Sequence, residues 1–257
     1  MPDSASLDRL ASSRMTDNGH LAGSAGSIAS AEVAAPVRPR NPRGASLFRR
    51  NGLSNRTLAE RQRGRAKIGQ HTIIQVAAVL RDRLSPSFAE AVLRDATRYT
   101  LGSMPSQRVD ERETQAVVRA LVGRMGAAVA TEMLREAGAR TADHLLANRI
   151  AWFAQLVIRA SPRRLGLALL LEAMKANAWT FTGSGHFRVE PARRTPTLVI
   201  EECAMCRGMH ETIPMCDFYA GAFERLISEL VAREVCVTEV ACMAQGAAAC
   251  RFELRHV

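Results

Sequence analysis

Between Ile68 and Ala178 the apolar residues recur mostly three or four positions apart, and beyond Ala178 they begin to alternate with polar ones. The first spacing is that of a helix with one buried face, the second that of a half-buried strand. Residues 72–84 (TIIQVAAVLRDRL) predict a first helix. Ser85-Pro86 then stops it and starts a second over 87–100, with Ser87 and Glu90 spaced as a capping box. Residues 110 to about 134 predict a long helix broken near Gly123 or Gly126, and 141–150 continue its pattern. Ser161-Pro162 opens a further helix over 163–178, with serine as N-cap and proline in the first turn.

The change of period falls at Trp179. Residues 179–190 (WTFTGSGHFRVE) alternate around Gly-Ser-Gly and predict a hairpin, and 197–201 predict a third strand. Residues 216–233 return to helix, with Phe218, Ala222, Phe223, Leu226, Ile227 and Leu230 on one stripe. Residues 235–243 and 250–255 predict two strands closing a second hairpin. Helices first and strands later, joined by hairpins, give an α+β fold class with an antiparallel sheet.

Residues 1–65 show no sustained apolar period and are rich in Ser, Ala, Gly, Pro and Arg, which predicts a disordered tail ahead of a folded domain over 66–257. The tail also locates the charge. The chain of 257 residues carries a net charge of +10, and 11 Arg against 5 acidic residues fall within 1–65. No basic stripe dominates the remainder, so a solubilising tail is expected and a nucleic-acid partner is not. No run reaches the roughly 18 apolar residues of a membrane span, the richest (Leu165–Met174) being short and holding Glu172. With no secretory leader pattern, the expected location is the cytoplasm.

In that setting, clustered cysteines read as metal ligands, redox thiols or small core residues and not as disulfides. All six cysteines lie between 203 and 250. Cys216, Glu239, Cys242 and Cys250 are a donor set able to close a tetrahedral zinc shell, Cys216 at a helix start and Cys242 and Cys250 on opposite arms of a hairpin. Glu239 precedes Cys242 by three residues, which in a regular strand sets them on opposite faces, so a shared site requires a bulge. Buried core cysteines are the alternative. Cys203-Ala-Met-Cys206 is a lone CxxC, open to metal or dithiol chemistry or to chance placement.

His186 and His210 fall in predicted turns, as candidate axial ligands to a bound cofactor or as ordinary solvated histidines. Trp152, Trp179, Phe181, Phe187, Tyr219 and Phe223 cluster in the sheet-forming half, as the lining of a pocket for a flat apolar ligand or as plain core. There is no GxGxxG after a strand, no GxxxxGK[ST] and no iron–sulfur cysteine run, so the usual marks of a nicotinamide, flavin or cluster site are missing from the sequence.

The offsets of Glu239, Cys242 and Cys250 from Cys216 resemble those of the vinyl-4-reductase domain family, whose sensor members hold zinc with Cys, Glu, Cys and Cys. Residues 67–76 (KIGQHTIIQV), 140–149 (RTADHLLANR), 178–188 (AWTFTGSGHFR) and 206–208 (CRG) are similar to the bacteriochlorophyll-biosynthesis branch of that family, over about 66–254. The resemblance implies a helical layer packed on a twisted antiparallel sheet, like TRAPP subunits, and a structural zinc. It implies a chlorophyllide-type tetrapyrrole with a divinyl macrocycle as ligand, and other pathway enzymes as partners. Related folds often dimerise, so a homodimer is within the expectation. The branch is known for reducing the 8-vinyl (older numbering, 4-vinyl) group. A tetrapyrrole-binding or delivery protein fits the missing reductant site better than a reductase does, and a small-aromatic sensor lacks its effector domain here. Arg188, Arg193, Arg194 and Arg207 are then candidate partners for the macrocycle's carboxylate tails, or solvated surface residues.

Overall fold

A computed structural model describes residues 66–257; the predicted tail, residues 1–65, lies outside the described residues. Among the described residues, seven helices precede, interrupt and support the sheet: α1 (His71–Arg83), α2 (Pro86–Ala96), α3 (Glu111–Met125), α4 (Ala127–Asn148), α5 (Trp152–Ala160), α6 (Arg163–Ala176) and α7 (Asp217–Leu230). Strands β1 (Lys67–Ile68) and β2 (Val109–Asp110) form a small antiparallel pair. The main sheet is antiparallel throughout, from β3 (His186–Glu190), β4 (Thr197–Glu201), β5 (Cys236–Ala241) and β6 (Ala249–Arg255), in the order β3-β4-β6-β5.

Helix α7 is the keystone. Phe218, Tyr219, Ala220, Phe223, Leu226, Ile227 and Leu230 are all buried, because the helix lies between α4 on one side and the sheet on the other. The rings of Tyr219 and Phe223 meet Phe252 of β6 at 6.3 and 5.5 Å. On the other side α4 and α7 touch backbone to backbone at two glycines. A Cβ on Gly138 would stand 1.9 Å from the Phe218 carbonyl oxygen, and one on Gly221 would stand 2.2 Å from that of Arg135. Arg135 of α4 completes the joint, pairing with Asp217 at 2.9 Å and Glu224 at 2.7 Å and donating to the Val237 carbonyl of β5 at 2.9 Å.

Several local expectations change. The N-cap of α2 is Ser85, whose Oγ accepts from the Phe88 N–H at 3.1 Å. Glu90 makes no capping box; it accepts from the Leu101 N–H at 2.8 Å and holds the following loop. The break after α3 is at Gly126 and not Gly123. Pro162, not Ser161, precedes α6, because the Ser161 hydroxyl is committed to the Val157 carbonyl at 2.7 Å. Helix α5 was not predicted: Trp152, Phe153, Leu156 and Val157 are exposed, so it has no polar outer face for a periodicity to register.

The predicted hairpin over 179–190 is replaced by a single strand. Ala178–Thr180 extend the preceding helix as one 3₁₀ turn, and β3 pairs with β4. Gly183-Ser184-Gly185 is a docked turn. Both oxygens of the buried Glu111 carboxylate receive Ser184, from its N–H at 2.7 Å and its hydroxyl at 2.8 Å. Gly183, at φ +63°, comes so close to Glu111 that a side chain would collide with the carboxylate.

Candidate metal centre

An irregularity in β5 brings the predicted donors to one face. The ladder pairs Glu239 with Phe252 and then Ala241 with Arg251, leaving Val240 as an extra residue. Val240 is turned out to solvent, while Glu239 and Cys242 are both buried. The bulge absorbs the odd offset, as the shared-site reading required. Cys250 lies on β6 opposite Ile200 of β4, and Cys216 is the N-cap of α7. The Cys216 N–H donates to Glu239 Oε2 at 2.7 Å, and the Met215 N–H to Cys242 Sγ at 3.4 Å.

One donor atom from each of Cys216, Glu239, Cys242 and Cys250 lies within 4.8 Å of all the others. The Cys216 and Cys250 sulfurs are 3.6 Å apart. Zinc–sulfur bonds of about 2.3 Å at tetrahedral angles separate two sulfurs by roughly 3.8 Å, so the spacing suits a thiophilic dication. Glu239 supplies a second test of fit. Its Oε1 is buried without a hydrogen-bond partner, a costly arrangement that a cation would relieve.

The electrostatics agree with a centre made for a cation. Burial first, and then the Cys242 thiol, push the Glu239 carboxyl up to about 10. Burial and the thiols of Cys203, Cys206, Cys242 and Cys250 raise Cys216 well above an ordinary cysteine. Cys242 moves the other way: Cys206 opposes its ionisation, but hydrogen bonds from Cys216 and Cys250 prevail and bring it to about 6. Negative charge is thus confined to a few thiols while the rest resist it, a balance that a bound dication would reverse.

Sequence spacing did not join Cys203 and Cys206 to this set; the fold does. After β4 the chain turns at Glu202, φ +51°, and doubles back under the sheet. Cys203 Sγ comes to 3.5 Å from Cys216 Sγ, and Cys206 Sγ to 3.4 Å from Cys250 Sγ. The Cys203 N–H donates to Met243 Sδ at 3.3 Å, which fixes the loop to the 3₁₀ turn beyond β5. The CxxC motif was the available signal, but an aperiodic loop gave no register by which to place it. Cys236 is exposed at the start of β5.

The six aromatic candidates divide. Phe181, Phe187, Tyr219 and Phe223 pack ring against ring, with centroids 5.4 to 6.2 Å apart, between α7 and the sheet. The Tyr219 hydroxyl donates to the Phe181 carbonyl at 2.8 Å. Trp152 and Trp179 stand apart from that cluster and are 74% and 54% exposed. Arg108, which the sequence did not single out, lies 4.7 Å from the Trp179 ring centre. His186 and His210 are exposed and belong to neither donor group.

Of the arginines, Arg188 is held by Glu201 at 2.8 Å and by Glu190, and Arg193 and Arg194 are exposed in the β3–β4 connection. Arg207 is turned inward and pairs with Glu111 at 3.1 Å, so it serves the fold and not an external carboxylate. Among the described residues no helix is long and apolar enough to cross a membrane.

Residues 196–256, which span β4 to β6 and hold every donor of the cluster, match the vinyl-4-reductase domain. The chain is 39% identical over 188 residues to the bacteriochlorophyll synthase 23 kDa chain of Cereibacter sphaeroides, covering 73% of this chain and 90% of that protein. It is 37% identical over 188 residues to the protein of the same name from Rhodobacter capsulatus, covering 73% and 86%. Among solved structures, an Fe(II) unliganded H-NOX protein mutant from K. algicida aligns with a TM-score of 0.51 and 10% identity, over 74% of this chain and 97% of that one. That likeness concerns the fold alone, and it sets an H-NOX domain where a TRAPP subunit was expected.

Proposed function

The chain belongs to the family of the bacteriochlorophyll synthase 23 kDa chains, with a vinyl-4-reductase domain at its C-terminal end, and from that premise we propose that it binds and delivers a chlorophyllide-type tetrapyrrole. A buried zinc, or a similar thiophilic dication, fixes the shape of the domain. One observation carries this reading: every donor of the cluster is buried, Glu239 being the most exposed at 6%. A centre closed by protein donors on all sides offers no open position to a substrate. Cys216, Glu239, Cys242 and Cys250 would hold the ion, which would staple α7 to β5 and β6.

The macrocycle then binds elsewhere. Trp179 supports one location, since it presents an exposed flat ring beside the Arg108 guanidinium. A planar apolar face with a cation at its margin is the chemistry that a tetrapyrrole with carboxylate tails requires. Partners in this reading are the enzymes that make and consume the pigment, as the relatives' name, a chain of a synthase, suggests.

The test uses the purified protein, a divinyl chlorophyllide-type pigment, and NADPH present or absent. The expected result is a shifted pigment absorbance with the vinyl group intact, and about tenfold weaker binding by Trp179→Ala. Formation of an 8-ethyl product on adding NADPH would overturn delivery in favour of vinyl reduction. Failure to bind would count against both.

A further inference from the structure

Five cysteines and one glutamate converge where four donors would hold one ion. They fall into two sets: Cys216, Glu239, Cys242 and Cys250, and Cys203, Cys206, Cys216 and Cys250, with the donor atoms of each set within 4.8 Å of one another. Cys216 and Cys250 belong to both. Cys203 and Cys206 lie on the far side of that shared pair, 3.5 Å from Cys216 and 3.4 Å from Cys250 respectively. We propose that the centre is dinuclear, two thiophilic dications bridged by the Cys216 and Cys250 thiolates, with Cys203 and Cys206 completing one shell and Glu239 and Cys242 the other. The proposal rests on the metal reading given above and is independent of the pigment.

Several observations lead to it. Cys203 and Cys206 are fully buried, like Cys216, Cys242 and Cys250, so all five thiols share one dry compartment. The shared pair is 3.6 Å apart, the edge that two tetrahedra must have in common if both ions bind. Glu239 Oε1, buried and unpartnered, is free to ligate, while Oε2 is occupied by the Cys216 N–H. Charge does not oppose a second ion. Six anionic donors around two dications leave the same net charge as four anionic donors around one, and each bound thiol releases its proton to solvent. A single ion would leave two thiols in contact with a thiolate shell and without a role.

The experiment measures metal per chain in full-length protein, with zinc and with cobalt substituted for it. Wild type is expected to hold two ions, and Cys203→Ala/Cys206→Ala one. Glu239→Gln/Cys242→Ala is expected to hold one in the opposite shell. Two cobalt ions sharing thiolate bridges couple magnetically, so the high-spin electron paramagnetic signal should be largely quenched in wild type and should emerge in either one-ion variant. Circular dichroism confirms that each variant is folded. One ion in wild type, unchanged by Cys203→Ala/Cys206→Ala, would overturn the dinuclear centre and leave the four-donor site standing. Two ions without magnetic coupling would overturn the bridging. No bound metal in folded wild type would overturn both metal readings, whatever the pigment result.

Discussion

Arg207 is an internal counter-charge. It neutralises Glu111, which is 4% exposed, and its guanidinium also donates to the Ser184 hydroxyl at 2.9 Å. Removing it would strand a buried carboxylate, so Arg207→Ala should lower unfolding stability by about 3 kcal/mol in urea titrations. Arg207→Lys should recover only part, because an ammonium lacks the planar fork that reaches both partners. His71 is a second residue whose role is electrostatic. Its ring lies 4.0 Å from that of His144, and both of its nitrogens are buried without partners. Burial first, then His144 and Arg149, hold its pKa below 6.5. The unfolded chain therefore takes up a proton near pH 6.5 that the folded chain refuses, and stability present above that pH is lost as pH falls through the lowered folded value. Thermal melts from about pH 7.5 to 5 should show this slope, and His71→Gln should flatten it.

Among the elements, α7, β4, β5 and β6 were legible because each has one buried face, and burial is what apolar spacing records. The bulge at Val240 was legible too, since three residues cannot bring Glu239 and Cys242 to one side of a regular strand. What escaped was set by distant contacts. Alternation over 179–190 looked like two strands, but Ser184 is captured by Glu111, 73 positions away. Cys203 and Cys206 reach the centre through a loop with no period, and α5 has an apolar exposed face. Glycine content likewise carried no label for the α4–α7 crossing. Two substitutions separate those roles. Gly138→Ala forces a Cβ into the Phe218 carbonyl and should cost about 3 kcal/mol or more. Gly123→Ala, in an exposed part of α3 with nothing within 4 Å, should gain about 0.5–1 kcal/mol from helix propensity. Chemical denaturation of the two variants in parallel checks both.

For the molecule as a whole, the metal reading makes stability depend on occupancy. Stripping the ion with a chelator should lower the melting temperature, and zinc should restore it; at a thousandfold excess over Kd the stabilisation is about 4 kcal/mol. A melting temperature unmoved by chelation and by zinc would refute a structural ion. The glycine crossing determines how far such a change travels. Where α4 and α7 meet backbone to backbone there is no cushion of side chains to absorb movement, and Arg135 clamps the first turn of α7, next to Cys216, onto α4. The joint behaves as a gear mesh without backlash. A displacement of Cys216 on metal loss should be felt in α4, on the opposite side of α7 from the sheet. Amide hydrogen exchange over residues 130–142 should accordingly quicken when the centre is emptied, although no donor lies in that helix.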